Sequence, residues 1–240
     1  IAKQVLVSDQ DRHVIAFGCD GFGANASATQ GNGTQDPLLI RFSSQENPVD
    51  WFPSATNTAG DLRLGGGSTF VQAVETQQIL VFTDKTLHAM KFIGPPFTFG
   101  LQELSKNITI MSPASAIAVD DAVFWMGRDS FYVYTGQTQQ LPCTVKDKVF
   151  LDFNFEDRDK VHVGLNTEFS EILWFYPTAD SSDVDAYVAY NYTEKVWYYG
   201  TLARDAWLDR GIRQLPLATG NTYLYNHETG TSDNGSAMSA

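Results

Sequence analysis

Residues 117–125 read IAVDDAVFW: a short apolar strand, a two-residue acidic turn, and a second strand that ends in aromatic residues. Short β-branched or aromatic runs on either side of a tight polar turn are typical of β-hairpins. Four more pairs of the same kind occur, at residues 5–7 with 14–17, 71–74 with 79–82, 161–164 with 172–176, and 217–218 with 223–225. The pattern predicts a chain built from repeated hairpins.

The spacing of these hairpins indicates the architecture. Their first strands start at residues 5, 71, 117, 161 and 217, so the spacings are 66, 46, 44 and 56 residues, in the range of four-stranded propeller blades. A second hairpin follows in four of the repeats, at residues 38–42 with 49–52, 87–92 with 97–99, 131–134 with 139–141, and 186–190 with 196–199. We therefore expect blade-like units at about 4–53, 70–104, 116–142, 160–200 and 215–240, the last one incomplete.

Two all-β folds fit short strands separated by frequent turns. A β-sandwich is the alternative, but a sandwich has no reason to repeat hairpin pairs at a long period. The favoured prediction is a β-propeller of four-stranded antiparallel blades. The best helix candidate, around residues 203–208, is barely two turns long.

The length and composition suit one such domain. The chain has 240 residues, of which 43% are hydrophobic and 13% aromatic, enough to pack blades face to face. The first repeat starts almost at residue 1 and the fifth has no closing hairpin, so we expect a propeller fragment whose missing blades lie outside this sequence. No apolar run approaches the roughly 20 residues that a spanning helix needs, so no membrane insertion is expected.

The charge and the cysteines restrict the function classes. A net charge of −12 argues against a protein that grips nucleic-acid phosphates, although an acidic surface can let DNA slide past by repelling it. Cys19 and Cys143 lie far apart without a CxxC spacing, so both are expected as unpaired thiols in a protein assembled in a reducing cytoplasm.

The carboxylates do not form a catalytic motif. Asp120 and Asp121 occupy a hairpin turn, where Asp is favoured for its local hydrogen bonds, and residues 180–185 form a Ser-rich loop. Asp152 and Glu156 belong to a charged segment, residues 152–160, that most resembles a solvated connection between blades. We therefore predict that none of these acids is catalytic, and that the protein is not an enzyme.

No metal or cofactor motif is present either. The four histidines come from different repeats and have no HxH or HExxH spacing: His13, His88, His162 and His227. The run Gly65-Gly66-Gly67-Ser68 has no following Lys, so it is interpreted as a connector between blades rather than as a phosphate loop. We expect no cofactor and no metal site.

Three longer segments carry a resemblance to a known family. They are residues 36–51 (DPLLIRFSSQENPVDW), 92–100 (FIGPPFTFG) and 196–204 (VWYYGTLAR). They resemble segments of bacteriophage structural proteins similar to the tail nozzle, or packaged-DNA stabilisation, proteins of short-tailed phages. The resemblance runs from about residue 14 to residue 225.

The resemblance implies a role without a catalytic residue. It implies a propeller-bearing, non-enzymatic virion subunit of the tail or neck, assembled in the bacterial host cytoplasm into a ring that is usually sixfold. The ring would continue the DNA channel below the portal and adaptor and help retain and then release the genome. Its implied partners are copies of itself, portal, adaptor and other tail proteins, and passing double-stranded DNA without sequence-specific binding.

Two loops are candidates for the contacts of such a ring. They are the insertion at residues 20–36 and the segment 204–210, whose Arg204, Trp207 and Arg210 form the candidate assembly interface because Trp and Arg are enriched at interface hot spots. The alternative for Trp207 is that it packs beneath its own loop. The alternative function is a propeller that binds or cleaves carbohydrate for receptor recognition, which needs aromatic and acidic side chains gathered at one mouth.

Overall fold

The computed structural model describes residues 1–23, 31–230, 232–233 and 236–237. The chain divides into two compact units, which we call the N-terminal unit (residues 1–142) and the C-terminal unit (residues 143–240). The prediction that both belong to a single propeller domain stays a prediction.

The N-terminal unit consists of three four-stranded antiparallel sheets and one inserted hairpin. The first sheet has the order β1-β2-β5-β6, and β3 pairs with β4 as the insertion. Its elements are β1 (Gln4–Val7), β2 (Val14–Phe17), β3 (Asp20–Phe22), β4 (Gly31–Gln35), β5 (Leu39–Phe42) and β6 (Gly60–Arg63).

The second and third sheets are uninterrupted meanders, in which each strand pairs with the next one along the chain. The second sheet contains β7 (Phe70–Glu75), β8 (Ile79–Thr83), β9 (Thr86–Gly94) and β10 (Thr98–Lys106). The third contains β11 (Ala116–Val119), β12 (Ala122–Met126), β13 (Phe131–Tyr134) and β14 (Thr138–Leu141).

These three sheets pack in series. Side chains alternate between the two faces of a strand, so Ile79 and Val81 of β8 join a core with the first sheet while Leu80 and Phe82 join a core with the third. Phe82 meets Trp125 of the third sheet with ring centroids 5.1 Å apart. A sheet buried on both faces by its neighbours is a propeller arrangement, whereas a β-sandwich has only two layers.

The first strands of the three sheets are neighbours, because β7 contacts both β1 and β11. Two glutamine side chains join them in the same way. The amide of Gln4 donates to the Ala73 carbonyl and accepts from the Ala73 N–H, both at 2.8 Å. The amide of Gln72 does the same at Ala116, at 2.9 and 3.0 Å. Each glutamine thus satisfies both backbone groups of one residue on the edge strand of the next blade.

The C-terminal unit contains a four-stranded sheet, a three-stranded sheet and a short hairpin, all antiparallel. It begins with the helix α1 (Lys146–Leu151) and a 3-10 turn (Arg158–Lys160). Its strands are β15 (His162–Asn166), β16 (Glu171–Tyr176), β17 (Ala186–Asn191), β18 (Val196–Thr201), β19 (Ala206–Leu208), β20 (Leu217–Gly220), β21 (Tyr223–Asn226), β22 (Ser232–Asp233) and β23 (Ser236–Ala237).

The two larger sheets of this unit also meet through their first strands, β15 and β19. Trp207 of β19 stacks on Phe175 at 5.6 Å between ring centroids. The contact depends on Gly164, since a Cβ atom there would lie 2.5 Å from Trp207 Cδ1. Blade packing therefore continues in this unit.

The predicted fold class is confirmed: the protein is all-β, with the four-stranded antiparallel blades of a propeller. The first hairpins at 5–17, 71–82, 117–126 and 161–176 all form as antiparallel pairs. The turn that holds Asp120 and Asp121 lies between β11 and β12, as predicted.

Two assignments were wrong. Residues 49–52 form a loop, not a strand, and β5 pairs instead with Gly60–Arg63. Side chains of that loop form hydrogen bonds with its own backbone carbonyls. Trp51 Nε1 donates to the Pro48 carbonyl at 2.8 Å, and Asn57 Nδ2 donates to the Phe52 carbonyl at 2.8 Å. Local bonds of this kind compete with a sheet ladder.

The helix candidate at 203–208 was also wrong, because this segment contains the strand β19. The fifth sheet therefore starts at Ala206 rather than near residue 215, and Leu217–Gly220 is its second strand. A helix of this length is marginal, and burial of Trp207 against β15 is available only to the extended segment.

Candidate functional site

Arg204, the first residue of the candidate interface, is buried within the C-terminal unit. Its Nε donates to His227 Nε2 at 2.9 Å and its Nη1 to the Ala203 carbonyl at 2.7 Å. Its guanidinium carbon lies 4.0 Å from the ring centroid of Tyr225. These contacts fix the chain around β20 and β21, so this side chain has a structural role inside its own unit.

Trp207 is half-buried, and its indole Nε1 donates to the Leu165 carbonyl at 2.9 Å. Its ring also lies 4.7 Å from the ring of His227. Trp207 thus packs within its own unit, against β15 and His227, and not beneath its own loop as the alternative has it. An assembly interface that includes these residues stays a prediction, and Arg210 is the member whose side chain is exposed.

Arg210 borders an open cavity of about 680 Å³ that lies wholly in the C-terminal unit. Its Nη1 lies 3.3 Å from Glu168 Oε2, and its Nε donates to Thr167 Oγ1 at 3.3 Å. The remaining lining comes from the turn between β15 and β16, the loop between β19 and β20, and the segment after β21. It includes Phe169, Gln214, Leu215 and Glu228.

A buried asparagine holds Glu228, one of the acids that line this cavity. Asn166 is 1% exposed, and its Nδ2 donates to Glu228 Oε1 at 3.1 Å and to Glu171 Oε2 at 3.5 Å. Its Oδ1 is buried and has no hydrogen-bond partner among the described residues. Burial, together with the hydrogen bond to Glu171, raises the pKa of Tyr198. The acids around Asn166 are thus held by a network rather than left free.

A second exposed feature is the tip of the β9–β10 hairpin, residues 92–97, which we call the apolar tip. Strand β8 pairs with β9 only as far as Met90, so the two longer strands continue as a two-stranded projection. Phe92 is 38%, Ile93 58% and Phe97 73% exposed. Below them, the ring of Phe92 lies 5.7 Å from that of Phe99, which anchors the projection to the core.

The acids that the sequence places outside any catalytic motif lie in turns and ion pairs. Asp121 Oδ1 accepts a hydrogen bond from Gln77 Nε2 at 2.9 Å. Asp152 Oδ2 lies 2.7 Å from Lys148 Nζ, and this hydrogen bond lowers the pKa of the Asp152 carboxyl. Glu156 is exposed, and its backbone N–H donates to Asn154 Oδ1 at 3.0 Å.

The thiols and imidazoles are dispersed. Cys19 and Cys143 are free thiols, and burial raises the pKa of Cys143 to about 11. Within the described residues, no group of three or more His, Cys, Asp or Glu side chains is placed to hold a metal ion. No helix in the described part of the chain is long and apolar enough to cross a membrane.

Sequence reasoning missed one buried charge, Arg41 of β5, which is 5% exposed. Its guanidinium carbon lies 4.2 Å from the Phe22 ring centroid, and Nη1 donates to the Asp20 carbonyl at 3.3 Å. Its Nε and Nη2 have no hydrogen-bond partner in the described part of the chain. The predicted interface loop at 20–36 packs here through Phe22, and its residues 24–30 lie outside the described residues.

Comparisons with known proteins give structural similarity alone. No family model matches the chain, and no curated protein sequence matches it. A crystal structure of the N-terminal domain of Nup159 is similar with a TM-score of 0.43 and 11% identity, over 97% of this chain and 55% of that one. The AfRom2 CNH domain is similar with a TM-score of 0.33 and 13% identity, over 92% of this chain and 78% of that one.

Both similar structures are β-propeller-like domains, and none of the comparisons links the chain to phage tail proteins. The match covers 55%, about half, of the length of the Nup159 domain. Because both TM-scores are low, neither similarity contributes to the functional proposal.

Proposed function

We propose that this chain is a non-enzymatic structural subunit of a bacteriophage tail or neck, which joins copies of itself in a ring that continues the DNA channel below the portal and adaptor. The observation that carries the proposal is the apolar tip, because an exposed apolar projection on a rigid sheet is suited to bury itself against another subunit.

The apolar tip fits a contact between identical subunits. It belongs to residues 92–100, one of the three segments that resemble phage tail proteins. A projection that docks on a different part of a neighbouring copy makes a heterologous contact. Such contacts close into a ring of n subunits when each contact rotates the chain by one nth of a full turn without a shift along the axis. The blades behind the tip supply rigidity, since Gln4 and Gln72 join consecutive edge strands.

The charge of the chain is compatible with a DNA conduit. Like charges along a channel keep the duplex from adhering, whereas a basic lining would bind phosphates through counterion release. With a net charge of −12, a ring of these subunits has acids available for its lumen. Two of its acids, Asp121 and Asp152, are engaged by Gln77 and Lys148.

The experiment is a measurement of the mass of the purified protein by light scattering over a range of concentrations. The test variant carries Ile93→Glu and Phe97→Glu, and the control carries Val49→Glu, an exposed apolar residue in a loop of the same unit. We expect the wild type and the control to assemble and the test variant to stay monomeric. Assembly of the test variant at wild-type concentrations would contradict the role of the tip.

A further inference from the structure

We infer that the cavity in the C-terminal unit is a binding site for a neutral oligosaccharide, a function that goes beyond the proposed structural role. Three separate segments build it: the β15–β16 turn at 167–169, the loop at 210–215, and Glu228. Its volume of about 680 Å³ lies within the range of about 300–1,000 Å³ that is usual for ligand sites.

The lining matches the hydrogen-bonding character of a sugar. Every hydroxyl of a saccharide both donates and accepts, so its site needs acceptors and donors close together. Glu168 and Glu228 supply carboxylate acceptors, while Arg210 and Gln214 supply N–H donors. Such bonds are stronger where one partner is charged. A mixed lining of this kind is suited to a ring of alternating hydroxyls.

The cavity also has an apolar surface for the C–H face of a sugar ring. Phe169, on the β15–β16 turn, is 47% exposed, and Leu215 contributes a second apolar side chain to the lining from the loop at 210–215. A flat aromatic ring buries a large area for little loss of conformational freedom. The backbone carbonyl of Phe169 accepts from Asn191 Nδ2 at 2.9 Å, so the turn that carries this ring is held in place.

The charge of the cavity selects against anionic ligands. The lining has two carboxylates and one guanidinium, and Arg210 is already paired with Glu168 at 3.3 Å. Glu228 keeps its position through the buried Asn166. An anionic sugar would meet a net negative lining, whereas a neutral sugar would lose nothing by repulsion. These residues therefore favour a neutral sugar over an anionic one, and a basic probe distinguishes a sugar from a cationic ligand.

Binding can be measured by ligand-observed saturation-transfer NMR and calorimetry, with maltotriose, cellotriose and chitotriose as neutral probes. Sialyllactose is the anionic probe and tetralysine the basic one. Phe169→Ala removes the aromatic surface. Gly211→Phe adds a bulky ring to a lining residue of the cavity without a backbone clash, because a Cβ atom at Gly211 meets nothing within 4 Å and its backbone is not left-handed. Gly65→Phe is the matched control, since Gly65 in the N-terminal unit is equally open.

We expect at least one neutral trisaccharide to bind at millimolar concentration or below, with affinity lowered about tenfold or more by Phe169→Ala and by Gly211→Phe, which is about 1.4 kcal/mol. Gly65→Phe should leave the affinity unchanged. The inference is overturned by the absence of neutral-sugar binding to the wild type, by stronger binding of sialyllactose or tetralysine than of any neutral probe, or by neutral-sugar binding that both cavity variants leave intact. Ring formation is measured independently, so this result leaves the structural proposal untouched.

Discussion

Removal of the Gln72 amide is the sharpest perturbation of the packing between blades. Gln72 is 9% exposed, and its side chain pairs with both backbone groups of the buried Ala116. Gln72→Met keeps the length of the side chain and removes both hydrogen-bonding groups. The N–H and the carbonyl of Ala116 then lose their partners inside the protein.

The size of the effect follows from those two backbone groups. A buried polar group left without a partner costs about 1–3 kcal/mol, so two of them give a loss of about 2–4 kcal/mol in the free energy of unfolding when some water reaches the site. For a chain of this size, 1 kcal/mol shifts the Tm by about 2–4 °C, so the Tm should fall by about 4–16 °C.

The assay is urea unfolding at neutral pH together with a thermal melt. Gln77→Met is the matched control, because Gln77 is exposed and its side chain bonds the exposed turn residue Asp121. Its cost should stay within about 0.5 kcal/mol, as is usual at the surface. If Gln72→Met lowers the urea midpoint no more than Gln77→Met does, the amide does not stabilise the contact between blades and the reasoning is refuted.

Three further predictions follow from buried groups. Burial lowers the pKa of three histidines, His13, His88 and His162. Near and below the unfolded-state pKa of about 6.5, the unfolded chain binds protons that the folded chain does not. The urea midpoint should therefore fall as the pH is lowered from about 7.5 to about 5.5, with most of the loss below about 6.5. A midpoint that rises as the pH is lowered over this window would contradict the assigned shifts. Gly164→Ala should cost about 1–3 kcal/mol because its Cβ would lie 2.5 Å from Trp207 Cδ1, and an unchanged thermal melt would show that this approach is not tight. Arg41→Met should be neutral or stabilising in urea, since it removes a buried charge with two nitrogens that have no partner among the described residues; a loss above about 3 kcal/mol would mean that the guanidinium holds an essential partner.

The sequence predicted the elements whose signal is local. Runs such as 79–82 and 122–126 are apolar, β-branched or aromatic and bounded by polar turns, and both form central strands. Residues 49–52 carry a similar composition but form a loop, because their backbone and Trp51 bond to nearby turn residues. The segment 203–208 is the best helix candidate in the sequence, yet it contains the strand β19, because its reason to be extended, the contact of Trp207 with Gly164, comes from another sheet.

The functional features were less accessible from the sequence. The cavity is lined by segments near residues 168, 211 and 228, which no local motif connects. The sequence predicts the hairpin that carries the apolar tip, but only the shorter partner strand β8 shows that the tip projects. Arg204 was expected at an interface on composition, whereas its bond to His227 buries it.

Images of the assembled protein test the central claim most directly. Electron cryomicroscopy of the purified chain, at concentrations where light scattering shows assembly, should give closed rings, sixfold as the family resemblance implies, with the apolar tip of each copy buried against the next. Particles that remain single subunits at every concentration, or that form open stacks in which the tip stays exposed, would contradict the account.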